Sequence, residues 1–113
     1  MNDKDNQAKD TKQENSLPSI IHDCDLLLKS GNFSSLSIRA KELLKADPGL
    51  SIVWNFLGLA EKNIGNLDAA SAAFEKVTQL DPDNFEGYNN LGICLAERGK
   101  LDIAIVTFKK ALD

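Results

Sequence analysis

One spacing constrains this chain more than any other feature: Asp47-Pro48 and Asp81-Pro82 lie 34 residues apart, and Gly31, Gly65 and Gly99 fall on the same interval. Phe33, Leu67 and Leu101 share it. Three independent marks in one register point to a supersecondary unit repeated along the chain. A unit this short cannot hide its apolar face alone, so neighbouring units must stack.

The repeat divides into two helices. In the middle unit, residues 52–64 place Trp54, Leu57, Gly58 and Glu61 at i, i+3, i+4 and i+7, on one helical face. Gly65-Asn66 ends that helix, because glycine tolerates the left-handed conformation that closes one. Asp68 is expected to cap or charge the start of the second helix, which carries Ala70, Phe74 and Val77 on one face. Asp81-Pro82 stops it, since the proline ring disfavours helical backbone at the residue before it. No segment alternates like a strand bounded by hairpin turns, so the expected class is all-α.

Composition sets the limits around this reading. At 113 residues, 42% apolar and 27% charged, the chain has the make-up of one small globular domain. Residues 1–16 are hydrophobic only at Met1 and Ala8, which is too little to offset ordering, so they are expected to form a disordered polar tail. Residues 17–113 then form the repeat domain, in units 17–50, 51–84 and 85–113, the third incomplete. A net charge of −4, with Lys109-Lys110 the one adjacent basic pair, argues against nucleic acid or an anionic membrane surface as partner. No apolar run approaches the roughly 18 residues of a membrane span. Nor do residues 1–16 contain a secretory apolar region, so a cytoplasmic protein is expected, with Cys24 and Cys94 as free thiols.

Trp54, Leu57-Gly58, Gly65, Leu67, Ala70, Phe74 and Asp81-Pro82 in the middle unit resemble the tetratricopeptide-repeat (TPR) family. Tyr88, Leu91-Gly92, Gly99, Leu101, Ala104, Phe108 and Ala111 repeat the pattern in the third unit. The first unit keeps Gly31, Phe33 and Asp47-Pro48, but Leu36 and Ala40 exchange the usual small-then-large order and Cys24 replaces the usual glycine. The resemblance implies a right-handed superhelical array of antiparallel helix pairs, with first helices lining the concave side. It also implies close helix crossings at Gly58, Gly92, Ala70 and Ala104. Glu61 departs from the family pattern, which favours a large apolar residue there, as Leu27 and Leu95 provide. It is expected at a rim, its stem packed and its carboxylate in water, the alternative being a half-buried carboxylate that pairs across the solenoid or contacts a ligand.

The family implies function through the groove. Its inward-facing sites here are Ile21, His22, Asp25 and Lys29, then Asn55, Phe56, Leu59, Lys62 and Asn63, then Glu86, Asn89, Asn90, Ile93 and Glu97. Asparagine amides both donate and accept, so they can satisfy a peptide backbone whatever its sequence. Ile21, Phe56, Leu59 and Ile93 offer apolar anchors. Some members clamp the C-terminal carboxylate of a chaperone tail with Lys, Asn and Arg. At those sites this chain has Ile21, Asp25, Phe56, Glu86 and Asn90, so such a tail is disfavoured.

Catalysis has little to work with. His22 is the one histidine and sits two residues from Cys24, so on a helix the two point to different faces. Asp23 and Asp25 read as a solvated face, and the glycines stand singly rather than as a phosphate loop. No cofactor or metal is expected. The leading expectation is therefore a non-catalytic scaffold for a peptide or partner domain, with self-association through an open C-terminal end as a further possibility. The alternative is the N-terminal repeat region of a larger enzyme, since the pattern is similar to repeat regions preceding bacterial glycosyl- or sulfotransferase domains.

Overall fold

The computed structural model describes residues 16–113, so the polar segment read as a tail lies, apart from Ser16, outside the described residues. Six helices follow in order: α1 Leu17–Lys29, α2 Phe33–Ala46, α3 Ser51–Ile64, α4 Leu67–Leu80, α5 Phe85–Glu97 and α6 Leu101–Leu112. Among the described residues there is no strand. Each helix packs on the next, and α1 also packs on α3.

The punctuation is local chemistry. Ser16 caps α1, its hydroxyl accepting from the Ser19 N–H at 3.3 Å. Gly65 closes α3 at φ +98°, and Gly31 and Gly99 take the same left-handed turn between the helices of the other pairs. Asn66, not Asp68, caps α4, accepting from the Ala69 N–H at 3.4 Å. Asp68 lies one residue inside the helix and instead pairs with Arg98 at 2.9 Å, tying the second unit to the third. The Trp54 indole donates to the Pro48 carbonyl at 2.8 Å, which fixes the start of α3 against the linker that precedes it.

Within a pair, crossing distance is set by what faces the small residue. A methyl at Gly58 would lie 2.5 Å from Cε1 of Phe74, and one at Gly92 would lie 2.6 Å from Cε1 of Phe108. Both rings sit where only a glycine backbone leaves room. The first pair lacks this contact: Cys24, Leu36 and Ala40 are all fully buried. Accordingly α1 and α2 run close together over a shorter stretch than α3–α4 or α5–α6.

The core forms as two clusters along the array. One joins Ile20, Cys24, Leu36, Val53 and Leu57 across the first two units. The other joins Ala70, Phe74, Leu91, Leu95 and Ala104 across the second and third. The middle unit contributes to both. It therefore holds the ends together.

Candidate peptide-binding groove

The side chains expected to line the groove come from α1, α3 and α5. Two of them meet. The Asn90 amide donates to the Asn55 side-chain carbonyl at 3.2 Å, from α5 to α3, with both residues half-buried. Lys62 and Glu97 face each other about two turns along, at 3.9 Å. These contacts hold the two first helices side by side. The amide pair keeps unused donor and acceptor capacity, since each amide carries two N–H groups and a carbonyl with two lone pairs.

Around the pair, Ile21, Leu59 and Ile93 are half-buried, Ile21 against the first core and Leu59 against the second. His22, Asn63 and Asn89 are exposed. Asn63 spends one amide proton on its own helix, donating to the Leu59 carbonyl at 2.8 Å. Asp25 pairs with Lys29 at 2.8 Å along α1.

Phe56 corrects the expectation. Expected among the apolar anchors of the groove, it is only 7% exposed and belongs to the first core. Because α1 packs on α3 as well as on α2, a ring on this part of α3 gains more from the core than from the groove. Glu61 overturns the rim reading and follows the alternative of a carboxylate paired across the solenoid. It is not at a rim but 5% exposed, accepting from the buried Ser37 hydroxyl at 2.5 Å and facing Lys41 at 3.5 Å. The signal that could have located it is the register, since Ser37 stands on α2 where Ile105 stands on α6. The Asn55–Asn90 contact was equally open to such a reading, one repeat plus one residue apart.

Neither thiol is poised for chemistry. Cys24 and Cys94 are free and fully buried, and burial pushes both thiols up. Arg39 near Cys24 and Lys62 near Cys94 pull the other way without reversing it. Reactive cysteines need the opposite surroundings, electropositive and partly exposed. Among the described residues no three His, Cys, Asp or Glu side chains gather as metal ligands.

Models of the tetratricopeptide repeat match residues 52–84 and residues 73–106. The chain belongs to the tetratricopeptide-repeat family. The first match is the α3–α4 unit, while the second starts within α4 and ends within α6, as a continuous TPR solenoid allows. No curated protein sequence matches the chain. Solved structures do. The second TPR of Spaghetti (RPAP3), bound to the HSP90 peptide SRMEEVD, is 19% identical with a TM-score of 0.80, over 94% of this chain and 96% of that one. MamA 41-end from Desulfovibrio magneticus RS-1 is 21% identical with a TM-score of 0.80, over 88% of this chain and 56% of that one. A further MamA crystal structure is 22% identical with a TM-score of 0.79, over 86% and 57%. This chain thus spans little more than half of the MamA structures it resembles, and at such identity the TPR fold is what they share.

Proposed function

We propose that this chain is a non-catalytic interaction scaffold that holds an extended peptide segment across α1, α3 and α5. The observation that carries the reading is the Asn55–Asn90 amide pair, set between half-buried Ile21, Leu59 and Ile93. Such a pair offers sequence-independent hydrogen bonds to a backbone, and the apolar neighbours offer shallow side-chain sites. That the RPAP3 TPR of the same fold holds a peptide supports the general mode. The ligand should differ, however. Asp25 and Glu86 stand where a carboxylate clamp needs cations, so an acidic tail such as SRMEEVD is repelled and a neutral or basic segment is preferred. A cytoplasmic setting accords with this reading. Among the described residues no helix is long and apolar enough to cross a membrane.

Selection from a random displayed-peptide library, then calorimetry of the selected peptide beside SRMEEVD, tests the proposal. Asn55→Ala/Asn90→Ala should weaken the selected peptide about tenfold or more, the worth of one or two hydrogen bonds left unmade. Equal or tighter binding of SRMEEVD, or full affinity in the double variant, would overturn it.

A further inference from the structure

We propose that α6 pairs with α6 of a second copy, antiparallel, about a two-fold axis near the middle of the helix. The face concerned is apolar and uncovered: Leu101 is 60% exposed, Ile105 53% and Leu112 87%. Their equivalents one and two repeats earlier are Leu67, Ser71 and Thr78, then Phe33, Ser37 and Leu44. All six are buried or half-buried. In those units the following first helix provides the cover, as the Ser37–Glu61 bond from α2 to α3 illustrates. On α6 no described residue provides that cover.

Charge selects the occupant. Asp102 and Lys109 are seven residues apart and so share one side of α6, next to the apolar strip. Both are exposed, and neither has an ion-pair partner among the described residues. An antiparallel pair sets Leu101 of one copy against Leu112 of the other and brings both Ile105 side chains near the axis. It also puts Asp102 within reach of Lys109 of the other copy, twice by symmetry. Stacking α6 on α1 of another copy fits poorly. There α1 presents Ser19, His22 and Asp23 where α3 has Val53, Phe56 and Leu57, so an apolar strip would desolvate a carboxylate. A pair of twelve-residue helices covers less than the roughly 800 Å² per partner of a standard interface, so the dimer is weak.

Sedimentation equilibrium of the chain, from roughly 10 µM to roughly 1 mM to span a weak interface, reads this out. The expected result is a monomer–dimer equilibrium that goes no further. Ile105→Glu should abolish it while the helical circular dichroism stays unchanged. Asp102→Lys and Lys109→Asp should each weaken it about tenfold by setting like charges opposite one another. Combining the two should restore it. A strict monomer throughout, open-ended association, a dimer indifferent to Ile105→Glu, or a combined variant no tighter than the single ones would each overturn the proposal.

Discussion

At the residue scale, the register pairs a position on each second helix with one on the next first helix, 24 residues on. In the first junction the pair is Ser37 and Glu61, bonded and buried. In the second it is Ser71 and Leu95, and the buried Ser71 hydroxyl has no hydrogen-bond partner among the described residues. An orphaned buried hydroxyl costs about 1–3 kcal/mol, so Ser71→Ala should raise stability to urea by about 1 kcal/mol. The first junction behaves differently. Ser37→Ala leaves a buried carboxylate short of its donor and should cost about 2 kcal/mol, because Lys41 is too exposed to compensate. Ser37→Ala/Glu61→Leu removes both polar partners and should return to wild-type stability or above. Additive losses in that cycle would show that the two side chains are not coupled. The sequence marked Glu61 as a departure and left a buried pairing open, but it did not identify the partner, which stands 24 positions away on another helix. The cysteines give a pH dependence. With both thiols raised by burial, their contribution is fully present below the ordinary thiol range and is lost as pH rises from there through the raised folded-state range. Stability should therefore fall above about pH 8.5, and native Cys24 and Cys94 should resist alkylation at neutral pH. Rapid labelling of folded protein would contradict this.

At the element scale, all six helices were legible from the period of the apolar residues and from the glycine and Asp-Pro stops. The N-cap of α4 was not. Asp68 does place an acidic side chain in the first turn, but the cap is Asn66, two positions earlier, whose side-chain carbonyl accepts from the Ala69 N–H. The small residues at helix crossings were readable as such, yet their tolerance differs in a way only packing reveals. A methyl at either crossing glycine meets a ring at a clashing distance, which outweighs the gain of about 1 kcal/mol in helix propensity from Gly to Ala. Phe74 is fully buried and has nowhere to move, whereas Phe108 is half-buried at the edge of the array. Gly58→Ala should therefore cost about 2–3 kcal/mol, and Gly92→Ala about 1 kcal/mol or less. Equal losses in thermal or urea unfolding would mean that the second ring is held as firmly as the first.

At the scale of the whole molecule, the array measures 62 × 27 × 21 Å with a radius of gyration of 16.1 Å, well above the roughly 13 Å of a compact domain of about this length. An elongated stack has few contacts that skip a unit, so its stability is close to a sum of unit and junction terms. The middle unit owns both junctions, because Val53 and Leu57 complete the first core and Ala70 and Phe74 complete the second. Amides of α3 and α4 should then exchange most slowly, with α6 and the more open α1 faster, when measured dilute enough to keep copies apart. Two phenylalanines separate this from an all-or-none domain. Phe74→Ala removes a fully buried ring from a junction, at a cost of about 3–5 kcal/mol, and should lower protection in all six helices together. Phe108→Ala removes the equivalent ring from the end pair. It should release α5 and α6 while α1 to α4 keep most of their protection, since the first core contains no residue from α5 or α6. If Phe108→Ala instead strips protection evenly from Leu17 to Leu112, the three units fold as one cooperative body. The pairwise account of the junctions would then have to be abandoned.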